Sequence, residues 1–263
     1  MNESTSSLKL EEKSQIIPIT SQEEKEIHRV FELLCGYQQK VRIREEIKEL
    51  NTWLSVNKLR VLNQITSGYS VDEQKILESN TASANRIEEL HKELQEVETK
   101  PDKKITCGDV MEMFKFLKEK ITRKEVEEMI WEVDENLDEC IDWQEFRLMF
   151  NRNIMDRTGL EPSRMFNLTQ FLIYDTNNNG LVSVDETMNL LYARYGRAKM
   201  EVKLKELFGE DMHETGRQGG EITFSKFLKA VEKVQMNTFL STTKGRIATQ
   251  NKAFGKTTKG AGH

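Results

Sequence analysis

Residues 175–186 read Asp175-Thr-Asn177-Asn-Asn179-Gly180-Leu181-Val-Ser183-Val-Asp-Glu186. Oxygen donors recur at alternate positions, a glycine stands sixth, and a glutamate closes the run. That spacing suits a hard cation such as Ca²⁺, which takes roughly six to eight oxygen ligands from a wrapped loop. Asp175, Asn177 and Asn179 would supply side-chain oxygens and Leu181 its carbonyl. Ser183 would act directly or through water, and Glu186 would close bidentately. Gly180 makes the sharp turn. Only Asp175 and Glu186 are carboxylates in this set, so the expected affinity is in the sensor range or weaker.

A second loop precedes it: Asp134-Glu-Asn136-Leu-Asp138-Glu139-Cys140-Ile141-Asp142-Trp143-Gln-Glu145. Asp134, Asn136, Asp138, Asp142 and Glu145 offer side-chain oxygens, and Cys140 offers at most its backbone carbonyl. Glu139 stands where glycine belongs. A left-handed backbone there costs a non-glycine residue about 1–2 kcal/mol. At about 1.4 kcal/mol per tenfold, this would weaken binding about tenfold. Ca²⁺ is expected at 175–186, and occupancy of 134–145 is left open.

Helices must hold these loops. Thr20 to Glu23 and Ser21 to Glu24 both fit a capping box, so a helix begins near 22 and runs through Ile27, Val30, Phe31 and Leu34 to Gly36. A longer helix follows with Ile43, Ile47, Leu50, Trp53 or Leu54, and later Val61 and Ile65, stopping at Gly68. Its three- and four-residue steps over 43–54 last under two heptads and predict ordinary helix packing. Ser70 to Glu73 caps another helix, which the polar run Ser79 to Ser83 is expected to break. Ile87, Leu90, Leu94 and Val97 mark the next. The first hundred residues hold one Phe (Phe31) and one Met (Met1), whereas 101–240 hold ten of each. A core of this kind suits a repacking, groove-forming helical module.

The run from Ile105 to Asn151, with Val126-Glu-Glu-Met-Ile-Trp-Glu-Val-Asp134 and Ile141-Asp-Trp-Gln-Glu-Phe146, resembles one lobe of the calmodulin and troponin C superfamily of EF-hand proteins. The resemblance implies paired hands whose loops join by a short β-bridge at the apolar eighth position, held here by Ile141 and Val182. Each then needs a mate. Lys104-Ile105-Thr106 places one in a degenerate loop at about 98–109, with Lys100, Pro101 and Lys104 inside it and Asp109 closing. Glu221-Ile222-Thr223-Phe224 places the other in a loop ending near Lys226, with room for an insertion after Phe208-Gly209. Basic residues at their ligand positions mark both as structural loops.

The reading is an all-α chain. It has a leader (1–20), an N-terminal helical arm (21–83), two paired EF-hand lobes (84–151 and 160–240) containing four hands, two of them degenerate, and a basic tail (241–263).

Other chemistries find little support. Cys35, Cys107 and Cys140 are odd in number and lack CxxC spacing, which argues against a disulfide framework and for a reducing compartment. The start is polar, Asn2 stands where N-myristoylation needs glycine, and no apolar run approaches a membrane span. His28, His91, His213 and His263 do not cluster. No GxGxxG, P-loop or GxSxG is present, so no catalytic set is expected. Trp143 should face outward from its loop.

The formal charge is −5, yet the last 23 residues carry Lys244, Arg246, Lys252, Lys256 and Lys259 and no acid, leaving −10 on the rest. Gly245, Gly255, Gly260 and Gly262 keep this tail from folding alone, while Ile247 and Phe254 could anchor it on an acidic surface. Nucleic acid is a weaker partner than acidic protein, because the body is itself acidic. The whole layout resembles EF-hand proteins of ciliary and flagellar axonemes. That implies a non-enzymatic adaptor or structural subunit of a cytoskeletal assembly, attached to other proteins such as tubulin or doublet microtubules. The alternatives are a diffusible Ca²⁺ sensor binding target helices, or a regulatory subunit of an enzyme.

Overall fold

The computed structural model describes residues 19–66, 73–156, 158–209 and 220–236. Residues 1–18 of the leader, most of the insertion after Gly209, the expected stop at Gly68 and cap at Ser70, and the basic tail lie outside the described residues. The helices are α1 (Ser21–Leu34), α2 (Tyr37–Thr66), α3 (Glu73–Thr99), α4 (Cys107–Phe116), α5 (Arg123–Trp131), α6 (Trp143–Met155), α7 (Arg164–Tyr174) and α8 (Val184–Phe208). A further helical run spans 224–236. The all-α class holds: among the described residues, extended pairing is confined to two isolated bridges, Ile105 with Ile141 and Val182 with Ile222. No described helix is long and apolar enough to cross a membrane. The chain divides into two compact units, His28–Arg147 and the remainder, with the divisions falling inside α1 and α6.

Local chemistry sets the helix starts. Thr20 and Glu23 form the anticipated capping box: the Glu23 carboxylate accepts from the Thr20 amide at 2.9 Å and Thr20 Oγ1 accepts from the Glu23 amide at 3.2 Å. Thr106 with Asp109, Thr122 with Glu125, and Ser183 with Glu186 repeat the arrangement at α4, α5 and α8. Between α1 and α2 the chain turns at Gly36, where φ is +64° and an added Cβ would stand 2.8 Å from Val97 Cγ1. Only glycine adopts that backbone and that approach without strain.

In the unit 28–147, α2 and α3 pack along Ile43, Ile47, Leu50, Leu54, Asn57 and Val61 on one side and Ile76, Asn80, Ser83, Ile87, Leu90, Leu94 and Val97 on the other. Ile43 and Leu90 are buried and the others half-buried, mostly between exposed residues. The alternation of four- and three-residue steps therefore extends past residue 54. The expected break at Ser79 to Ser83 does not occur, and α3 is continuous through it. Two of those polar residues are satisfied within the helix pair. Asn80 accepts from Asn57 Nδ2 at 3.3 Å, and the Thr81 hydroxyl donates to the Leu77 carbonyl at 2.7 Å. Arg86 reaches across to Glu46 at 2.9 Å.

The hands complete this unit. Phe146, Val110, Met113, Val126, Met129 and Ile130 are buried. In the other unit, Phe171 stands 5.2 Å from Phe224 and 5.6 Å from Phe227, forming an aromatic cluster under the 182–222 bridge. There α8 breaks at Gly196 (φ +71°, ψ 172°), which separates the exit helix of one hand from the entry helix of the next. Arg194 pairs with Glu23 where both side chains are largely buried.

Replacing Gly36 with alanine should lower folding stability by about 1–3 kcal/mol, through the left-handed backbone and the close Val97 methyl. Urea unfolding followed by circular dichroism checks this, and an unchanged midpoint would contradict the packing.

Candidate metal centre

Each candidate loop is tied to a mate by two backbone hydrogen bonds. The Ile105 amide donates to the Ile141 carbonyl at 2.9 Å, and the Ile141 amide donates back to the Ile105 carbonyl at 3.0 Å; Val182 and Ile222 do the same at 3.0 and 2.9 Å. The two mates expected from spacing are thus the residues that pair.

The two candidate loops share a backbone. Asn178 and Gly180 have φ of +55° and +78°, and Leu137 and Glu139, at the same positions, have +61° and +63°. Glu139 therefore adopts the glycine conformation. Its strain belongs to the folded chain as it stands, so the penalty falls on folding and need not be charged to cation binding.

Inside 175–186, the fully buried Asp175 accepts from the Asn179 amide at 3.0 Å and the Gly180 amide at 2.8 Å. Burial lifts its carboxyl above the ordinary range, against the pull of those two bonds. Asn177 accepts from the Asn179 amide at 2.9 Å and Asn179 from the Leu181 amide at 2.7 Å. Glu186 reaches back to the loop start. Its Oε1 takes the Thr176 hydroxyl at 3.2 Å, and Oε2 takes the Ser183 amide and hydroxyl at 2.9 and 2.7 Å. Burial raises the Glu186 carboxyl, but the bonds from Ser183 and Asn177 outweigh it and hold the group below its ordinary value. Ser183 and Glu186 are also the cap and third residue of α8, so the closing ligand starts the exit helix.

The 134–145 loop follows the same plan. Asp134 accepts from the Leu137 and Glu139 amides, both at 2.8 Å. Glu145 accepts from the Glu135 amide at 3.0 Å, the Asn136 amide at 3.2 Å and the Asp142 amide at 2.9 Å, while Asp142 accepts from the Glu145 amide at 2.9 Å. Asp138 Oδ1 accepts from the Cys140 amide at 3.1 Å, and Oδ2 is paired with Lys104. Burial, then the Asp138 charge, pushes the Cys140 thiol above its ordinary value, so it stays protonated and offers no soft ligand.

Among the described residues no three acidic, histidine or cysteine side chains converge tightly enough to hold a metal as they stand. The loop carboxylates face backbone amides instead. Their chemistry nonetheless fits: all-oxygen donors, twelve-residue spacing and left-handed turns at the fourth and sixth positions match a hard-cation loop. Asp175, Asn177, Asn179, Leu181, Ser183 and Glu186 would hold Ca²⁺ in one loop; Asp134, Asn136, Asp138, Cys140 through its carbonyl, Asp142 and Glu145 would do so in the other.

In the degenerate loop near 98–109 the closing acid has other work. Asp109 is buried, accepts from the Thr106 amide at 3.0 Å and hydroxyl at 2.7 Å, and takes the Gln38 amide at 3.0 Å. It caps α4 and ties α2 to it. Lys103 pairs with Glu32. Trp143 departs from its expected outward pose, with its ring 5.4 Å from that of Phe31 and 4.9 Å from that of His28. Spacing could not show this, because the contact comes from a helix more than a hundred residues earlier. Spacing likewise marks Lys104 only as a residue that repels cations, and misses its specific partner. The available signal is its place one residue before the bridging isoleucine, facing the mate loop.

Residues 87–150 match the family model of an EF-hand domain pair. The likeness covers this segment alone, and Ca²⁺ is the ion that the 134–145 loop within it would take. No curated protein sequence matches the chain.

Glu186→Gln should abolish most Ca²⁺ binding at 175–186, because it removes the bidentate closing carboxylate. Calorimetric titration of the full chain checks this. Binding intact in the variant would make 134–145 the principal site.

Proposed function

We propose that the protein is a non-enzymatic Ca²⁺-binding adaptor or structural subunit of a cytoskeletal assembly, with axonemal microtubules the favoured setting. The observation that carries this reading is the cover over α6. Phe31 of α1, only 3% exposed, stands 5.4 Å from the Trp143 ring and 5.6 Å from the Phe146 ring, and Leu34 is fully buried. A diffusible sensor presents a groove to a target helix. Here the chain's own first helix lies on the apolar face of the hand pair, which favours a fixed scaffold over an opening groove.

Attachment is assigned to the basic tail. Its five cations and two apolar anchors suit an acidic protein surface such as tubulin, with salt-sensitive affinity. The axonemal setting rests on the likeness of layout, helical arm, eroded hands and basic Gly/Thr/Lys tail, which is a fold-level analogy.

The full chain should co-sediment with microtubules or isolated axonemes, and deletion of 241–263 should weaken that binding. Equal sedimentation of both forms would remove the tail from the account, and none by either would remove the microtubule.

A further inference from the structure

The two candidate loops differ most in what faces them from the mate loop. Lys104 directly precedes Ile105, the residue bridged to Ile141, and its ammonium pairs with Asp138 Oδ2. Asp138 is the fifth-position ligand of the 134–145 loop. Its other oxygen already accepts from the Cys140 amide at 3.1 Å, so both oxygens are engaged. In the second pair the topologically identical residue, directly preceding Ile222, is Glu221, and it is exposed. The fifth-position residue there, Asn179, accepts from the Leu181 amide at 2.7 Å.

We infer that Lys104 is a tethered counter-ion that competes with Ca²⁺ for the 134–145 loop, so this loop binds more weakly than its four carboxylates imply. The inference rests on the reading of 134–145 as a cation loop.

The competition has two parts. The ammonium withdraws from the cation part of the Asp138 charge that would hold it, and it stands as a like charge beside an incoming divalent ion. The bond to Asp138 raises the Lys104 pKa against a desolvation that lowers it, the charges of Asp138 and Asp142 add to the rise, and Asp138 is held below its ordinary value by the same lysine. Lys104 thus faces several of the loop's acids at once. Unit charges about 4 Å apart interact appreciably even in water, and a divalent ion doubles the effect. The exposed pair itself adds little to folding. Removing the lysine should therefore change cation affinity far more than stability.

The test uses the full chain carrying Glu186→Gln, so that 134–145 is the loop observed, with CaCl₂ titrated by calorimetry. Lys104→Met should tighten binding on the order of tenfold, and Lys104→Glu, which copies Glu221, should tighten it at least as much. The gain should shrink in high salt. Thermal unfolding without Ca²⁺ should be nearly unchanged by either substitution, whereas the rise in melting temperature on adding Ca²⁺ should be larger than in the chain that keeps Lys104. Equal affinity with and without the Lys104→Met substitution overturns the inference. So does the absence of binding in all three chains, because the lysine would then not be what limits the loop. Both outcomes are independent of attachment to microtubules, since no partner is present in the titration.

Discussion

Two short backbone bridges carry the architecture. Ile105 with Ile141 and Val182 with Ile222 exchange paired hydrogen bonds of 2.9–3.0 Å, and each residue is buried. An apolar side chain at that place goes into the core beneath the loops, while its amide and carbonyl satisfy the mate. A loop can lose every cation ligand and still be needed, because its removal would leave the mate's backbone unpaired and its isoleucine exposed. This is the physical reason that a loop bearing Lys100, Pro101 and Lys104 persists beside one bearing four carboxylates.

The bridge also fixes where charge can act. It brings Lys104 against Asp138, and it lets Asp109 cap α4 and receive the Gln38 amide. The ninth and twelfth loop positions double as the first residues of the exit helices, so Asp142 with Glu145 and Ser183 with Glu186 hold loop and helix together without a metal. Each carboxylate oxygen has two lone pairs, so a ligand can accept from an amide and still offer an oxygen to a cation. The roles of helix cap and ligand therefore belong to the same carboxylate.

Much of this is legible in the sequence, for local reasons. The capping box of Thr20 with Glu23, the turn at Gly36, the two loops and both bridge mates follow from residue type at fixed spacing. Glu139 reads from spacing alone as a residue in a glycine position, but the structure moves its strain from binding to folding. The failures are tertiary. Ser79 to Ser83 looks like a break until Asn80 is seen to face Asn57 across the α2–α3 seam. Trp143 looks outward-facing until Phe31 and His28 cover it. Lys104 looks merely repulsive until its partner is known to be a specific ligand, Asp138. In each case the deciding neighbour is more than twenty residues away in the chain.

The proposed scaffold requires α1 to stay on the hand pair when Ca²⁺ binds. Amide hydrogen exchange over residues 28–34, measured with and without saturating Ca²⁺, tests it most directly. Protection that is unchanged or increased on Ca²⁺ addition is the predicted result. Marked loss of protection in that segment, with α6 still protected, would show a helix expelled from an opening groove and would contradict the account.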